Sequence, residues 1–224
     1  MELQRLKRQR ATDEVYQALR HGILGHLFKP GERLLIEDIA AKLGVSLTPV
    51  RHAVQQLAVE GLVEIRPRSG TYVASISPED LLETSEIRCA LECLAAELAV
   101  ERITAEQLSR SREILSGLSQ PIETEEDRKR HEENNMRFHA LLIEASGNRK
   151  LAEIYESLRA HLQIARAHSR ESGWADRLRQ EQSEHEEIFT ALQSRNAERL
   201  KAALRKHIFR AKDDLVAGLA GQGQ

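Results

Sequence analysis

Apolar residues recur along this chain at three- and four-residue spacing almost everywhere, and alternate in only one place. From Asp13 to Leu27 the stripe Val15, Ala18, Leu19, Ile23 and Leu27 predicts an amphipathic helix, stopped by Lys29-Pro30-Gly31. A shorter helix over 36–43 buries Ile36, Ile39, Ala40 and Leu43. Gly44 suits the left-handed residue that ends it, and Ser46 suits the N-cap of a third helix, its hydroxyl accepting a backbone N–H. Pro49 falls in that helix's first turn, where a missing N–H costs nothing. Val50, Ala53, Val54 and Leu57 then face inward, leaving Leu47, Thr48, Arg51, His52 and Gln55 on the other side. Alternation is confined to Leu62-Val63-Glu64-Ile65 and Thr71-Tyr72-Val73, two short strands around the basic turn Arg66-Pro67-Arg68-Ser69-Gly70.

From Ser77-Pro78-Glu79-Asp80 onward almost no strand signal remains. Helices are predicted at about 79–101, 104–119, 123–146, 149–169, 174–194 and 197–217, with breaks at Thr104, Pro121, Ser146-Gly147-Asn148, Gly173 and Asn196. The fold class is therefore mainly α: an N-terminal winged helix-turn-helix followed by an all-α antiparallel helical bundle. The expected divisions are a basic arm over 1–11 (Arg5, Lys7, Arg8, Arg10), the winged module over 12–76, the bundle over 77–218 and a disordered tail over 219–224.

Composition adds exclusions. No apolar run approaches the roughly 20 residues of a membrane helix, and no apolar signal core opens the chain. Cys89 and Cys93, spaced i, i+4, make no disulfide framework, so the expected setting is the reducing cytoplasm, away from membranes. The net charge of −2 hides a contrast. Residues 1–76 hold 11 Lys/Arg against 8 Asp/Glu, while the remainder holds 22 against 27. A basic front and an acidic back suit a nucleic-acid module joined to something that does not touch nucleic acid.

In a groove-inserted helix, Arg51 can pair with guanine, and Thr48 can meet a phosphate or a thymine methyl. Arg68, at the tip of the wing, is expected near the minor groove. The bundle carries a different signal. Asn135, Phe138, His139, Leu142 and Ala145 share one helical stripe; His185 lies on the stripe of Leu178, Ile188, Phe189 and Leu192; His207 lies on that of Leu200, Leu204, Ala211 and Leu215. Three inward imidazoles need partners, either separate core hydrogen bonds or one shared divalent cation with an open position. Spacing alone leaves both open, and His161 is similarly placed. Arg88, on the stripe Leu81, Thr84, Leu91, Ala95 and Leu98, needs an anion, either a bundle glutamate or a bound acid. Arg159 and Gln163 are candidates to line the same cavity.

Pro30-Gly31-Glu32-Arg33-Leu34, Ala40 through Arg51, Glu60-Gly61-Leu62-Val63 and Arg66 through Val73 closely resemble the GntR family of bacterial transcription regulators. Phe138-His139 and Glu144-Ala145-Ser146-Gly147-Asn148 resemble the FCD-type ligand-binding domain of its FadR subfamily. The resemblance implies a homodimer on a pseudo-palindromic double-stranded DNA operator, contacted by Arg33, Ser46, Leu47, Thr48, Arg51, Gln55, Arg68 and Gly70. It also implies a metal held by Asn135, His139, His185 and His207, with zinc first and nickel or manganese as alternatives. A small organic acid held beside the metal by Arg88 completes the picture. Repression relieved by that effector is the default expectation.

Members usually carry arginine at the position of Leu47 and glutamate at that of His52. Leu47 instead offers an apolar side chain to a thymine methyl, so a different operator is expected. Two other readings compete: a metal-independent regulator responding to acyl-CoA, and a metal-dependent hydrolase. Against the hydrolase stands the expectation that no acidic general base lies beside the histidines on their stripes; the protein is not expected to be an enzyme.

Overall fold

The computed structural model describes residues 9–25, 27–168 and 174–220. Most of the basic arm (1–8) and the final residues 221–224 therefore lie outside the described residues. Contacts divide the chain into two compact units: residues 1–78 with 159–169, and residues 79–158 with 170–224.

In the first unit the order is α1 (Gln9–Leu24), β1 (Arg33–Leu34), α2 (Ile36–Leu43), α3 (Leu47–Val59), β2 (Val63–Arg66) and β3 (Gly70–Val73). Helix α1 packs on α3, with Val15, Leu19 and Ile23 buried against a face that includes Val50, Ala53, Val54 and Leu57. The first helix ends three residues sooner than its pattern predicts. Ala18 is exposed and Leu27 is 75% exposed, because the chain leaves the helix after Leu24 and Phe28 closes over Gly22 instead. Leu43, expected in the core, is also exposed.

Gly44 takes the left-handed conformation (φ 65°) and returns backbone bonds to Ala40 and Ala41, the expected stop. Ser46 has the extended backbone of an N-cap, but its side chain makes no capping hydrogen bond. The hydroxyl expected to serve the helix is exposed.

The three strands pair antiparallel in the order β1-β3-β2, with Arg33 opposite Tyr72 and Arg66 opposite Gly70. Two-residue β1 has no periodicity of its own and was not anticipated; β3 recruits it. The wing tip is a three-residue loop in which Arg68 adopts φ 62°, a left-handed conformation unusual outside glycine. Gly70 follows at φ 134°, and a Cβ there would lie 2.9 Å from Arg33 Nε.

The second unit contains α4 (Pro78–Arg102), α5 (Ala105–Leu118), α6 (Glu125–Ala145), the first half of α7 (Arg149–His168), α8 (Trp174–Gln193) and α9 (Ala197–Ala220). Helices α5 and α6 each open on a complete capping box, Thr104 with Gln107 and Thr124 with Asp127. Arg195 donates to the carbonyls of Val100 (2.6 Å) and Ile103 (2.9 Å), closing the C-terminal end of α4. The core runs through Ala95, Ala99, Leu115, Phe138, Leu142, Ile188, Phe189, Leu192, Leu200 and Leu204. Cys89 and Cys93 are buried and free, and burial beside Cys93 pushes the Cys89 thiol up to about 11. No helix among the described residues is long and apolar enough to cross a membrane.

Candidate functional site

Three helices of the second unit bring histidines to one point. His139 on α6, His185 on α8 and His207 on α9 are at most 2% exposed, and their ligand atoms all lie within 4.8 Å of one another. His139 Nε2 is 3.2 Å from His207 Nε2 and 3.4 Å from His185 Nε2.

The opposite ring nitrogens explain this orientation. His139 Nδ1 lies 2.7 Å from Glu92 Oε2, and His207 Nδ1 lies 2.9 Å from Glu184 Oε2. Each carboxylate is held in turn by an arginine. Arg88 Nε donates to Glu92 Oε1 at 2.6 Å, with the Tyr155 hydroxyl donating to the same oxygen at 2.8 Å. Arg210 Nε donates to both oxygens of Glu184, and its Nη1 pairs with Asp214. Two arginine–glutamate–histidine relays thus converge, one from α4 to α6 and one within α8 and α9.

A carboxylate accepts the Nδ1 proton, so the Nε2 atoms of His139 and His207 carry their lone pairs. In that neutral form two lone pairs 3.2 Å apart repel unless a proton or a metal cation is shared between them. His185 has no such relay, and its Nδ1 has no hydrogen-bond partner.

Charge follows from the same geometry. Burial would push Glu92 up, but Arg88 and His139 hold it well below the usual carboxylate range. Burial would lower Arg88, and Glu92 keeps it raised instead. Burial, together with neighbouring imidazoles, pushes both His185 and His207 well below 6.5, against the pull of Glu181. Neutral imidazoles are the form that ligates a metal.

Asn135, 4% exposed, lies one turn before His139. Its Nδ2 donates to Glu181 Oε1 at 2.7 Å, which leaves the buried carbonyl Oδ1 without a hydrogen-bond partner. Three imidazole nitrogens and a carbonyl oxygen make a chemically suitable donor set for a first-row divalent ion.

Arg88 is buried in its pair with Glu92, the bundle-glutamate alternative. Gln163 belongs to the first unit, where it accepts from Arg20 Nη2 at 3.3 Å, and the side chains of Arg159 and His161 lie outside the described residues. The expectation that no acidic general base lies beside the histidines on their stripes meets three carboxylates: Glu181 lies one turn before His185 on its own stripe, and Glu92 and Glu184 reach His139 and His207 from other helices. Glu92 and Glu184 face Nδ1, on the far side from the converging Nε2 atoms. They orient the rings. Glu92 had a signal in the i, i+4 spacing from Arg88; Glu184, Tyr155 and Arg210 meet their partners across helices, which no single stripe records.

In the first unit, Leu47 (37% exposed), Thr48, Arg51, His52 and Gln55 are exposed on one side of α3. Arg33 covers Gly70, and Arg68 is exposed at the wing tip. Arg66 lies over the Tyr72 ring at 4.5 Å and pairs with Glu64. An exposed helix face beside a basic hairpin is the arrangement that enters a DNA groove.

Residues 11–73 match the gntR family of bacterial regulatory proteins, and residues 83–210 match the FCD domain. Over 202 residues the chain is 31% identical to the HTH-type transcriptional repressor RspR of Escherichia coli (strain K12), spanning 89% of this chain and 86% of the relative. It is 30% identical over 200 residues to the Nta operon transcriptional regulator of Aminobacter aminovorans, spanning 87% and 89%. Among solved structures, E. coli McbR/YncC is similar with a TM-score of 0.76 and 26% identity, covering 96% of this chain and 99% of that one. The chain belongs to the GntR family of DNA-binding bacterial transcription regulators, in the FadR-like subfamily that carries an FCD domain.

Proposed function

We propose that this regulator is a homodimeric repressor whose hold on its operator is set by a small organic acid bound at a metal in the FCD domain. The observation that carries the metal reading is the close approach of His139 Nε2 and His207 Nε2 while both Nδ1 atoms face carboxylates. A divalent cation held by His139, His185, His207 and Asn135 relieves that repulsion. Zinc suits nitrogen-rich, four-ligand sites best, with nickel and manganese as alternatives. Such a metal supplies a Lewis-acidic position for a carboxylate oxygen. Arg88 uses its Nε on Glu92 and also meets the Tyr155 hydroxyl, so an acid would meet the N–H groups that those two leave.

At the DNA end, α3 enters the major groove with Leu47, Thr48, Arg51 and Gln55, and Ser46 meets phosphate at its N-terminus. Arg33, Gly70 and Arg68 place the wing at the neighbouring groove. Two copies present two such helices to a pseudo-palindrome. The exposed apolar residues Leu82, Ile87 and Leu94 on α4 support a second copy as the partner of that helix. Acid binding and operator binding are linked, so each changes the other by the same factor.

Metal analysis of untagged protein tests the carrying observation: about one zinc, nickel or manganese per chain is expected, and metal-free protein that still binds acid overturns it. A thermal-shift screen of carboxylates with and without metal, followed by operator binding and solution mass, tests the rest.

A further inference from the structure

Thr48, His52, Gln55 and Val59 follow one another along α3 at four-, three- and four-residue spacing, and all four are exposed. The far part of this stripe borders α1. His52, Gln55, Gln56 and Val59 line, together with Thr12 of α1, a shallow groove of about 310 Å³. Its walls carry a hydroxyl, two side-chain amides and an imidazole, and no carboxylate. The adjoining groove does carry acids, Asp13 and Glu60. Glu60 is already engaged: it accepts from the Tyr16 hydroxyl at 2.5 Å and lies 3.6 Å from Arg20 Nε. It also follows His52 by eight residues, a rise of about 12 Å.

Few charges therefore bear on His52. On α1, Asp13 follows Thr12 but lines the adjoining groove. On α3, Arg51 precedes His52, while the positions one turn away, Thr48, Pro49, Gln55 and Gln56, are uncharged. A protonated imidazole in this groove stands among three residues that can donate, Thr12, Gln55 and Gln56, with no anion in the groove's walls. We propose that His52, with Thr12, Gln55 and Gln56, takes a phosphate of the DNA backbone, so that this regulator grips DNA more tightly as pH falls below neutral. The proposal rests on the reading above that α3 enters the major groove, which brings a DNA strand past the same stripe.

Imidazole is the side chain that changes charge between pH 5 and 8. A phosphate beside it favours the charged form, and by linkage the added proton favours the phosphate to the same extent. The contact is to the backbone, so it positions the protein without reading sequence, unlike Leu47 and Arg51 at the leading end of the helix. Each phosphate neutralised also releases counterions, which makes the contact visible in the salt dependence of binding.

The test uses the full-length protein and a fluorescent DNA duplex of scrambled sequence, on which base readout contributes nothing. Anisotropy titrations at pH 8 and pH 6 in about 0.1 M salt are expected to show the wild type tightening by about five- to tenfold more, per bound subunit, than His52→Gln. That variant keeps a donor but carries no charge, and the comparison with it removes what the other histidines contribute. His52→Arg, charged at both pH values, should bind at pH 8 as tightly as the wild type does at pH 6. Its plot of log affinity against log salt should be steeper than that of the wild type at pH 8 by about 0.9 per bound subunit. Melting temperatures of both variants should match the wild type, because His52 is exposed. Equal tightening in wild type and His52→Gln overturns the proposal. So does a His52 effect seen on a selected operator and missing on scrambled DNA, which is base readout. Arg51→Ala on the selected operator tests the groove reading separately: a His52 difference that persists where Arg51→Ala has no effect leaves the phosphate site standing without it.

Discussion

The DNA-reading face and the histidine centre are built on opposite plans. On α3 and the wing, Thr48, Arg51, Gln55 and Arg68 are exposed, and the partner proposed for them is DNA. In the centre, His139 and His207 are fully buried and fixed from behind by Glu92 and Glu184, which are fixed in turn by Arg88, Tyr155 and Arg210. A reader can be altered without touching the fold. A preorganised centre cannot, because its functional groups are also its core.

Breaking the centre should therefore cost most. Glu92→Leu leaves Arg88 buried without its carboxylate and strips acceptors from His139 and Tyr155; a loss of about 3–5 kcal/mol is expected in urea unfolding. A loss below about 1 kcal/mol would place the relay outside the core's energetics.

Acid should act on the same groups. His185 and His207 are held below their ordinary 6.5, so the unfolded chain binds protons that the folded metal-free protein refuses. Stability is then full above pH 6.5 and falls as pH drops through it, by up to about 2.7 kcal/mol per pH unit for two protons. Glu92 steepens the fall only within and below the ordinary carboxylate range. Unfolding of metal-free protein at several pH values checks this, and a flat profile between pH 7.5 and 5.5 contradicts it.

Glu184→Gln keeps a hydrogen-bond acceptor for His207 Nδ1 but removes the negative charge. Metal affinity should weaken about 10- to 100-fold by competition titration. Arg51→Ala sharpens the contrast from the other side. Operator binding should weaken by about 1–3 kcal/mol, while unfolding free energy stays within about 0.5 kcal/mol of wild type.

The same contrast decides what was legible in the sequence. Helix ends from Pro78 to Gln193 fell within about two residues of their expected stops, because capping residues and glycines act locally, while α9 runs three residues past its expected end to Ala220. The inward stripes of α6, α8 and α9 pointed His139, His185 and His207 at a common interior. What escaped was set by neighbours elsewhere in the chain. Strand β1 exists because β3 pairs with it, and Leu27 lies outside the core because the helix ends at Leu24 and Phe28 packs against Gly22. Glu184 meets His207 from another helix. Glu181 was within reach: it lies between Leu178 and His185 on the α8 stripe. Ser46 failed in a different way. Its backbone obeyed the capping preference, and its hydroxyl did not.

The left-handed Arg68 at the wing tip ties durability to grip. A side chain in that conformation costs roughly 1–2 kcal/mol that glycine does not incur. Arg68→Gly should raise the melting temperature of the first unit while weakening its hold on the operator. A search for ever more heat-resistant variants would drift toward that substitution, and toward a molecule that outlasts its parent but lets go of its site.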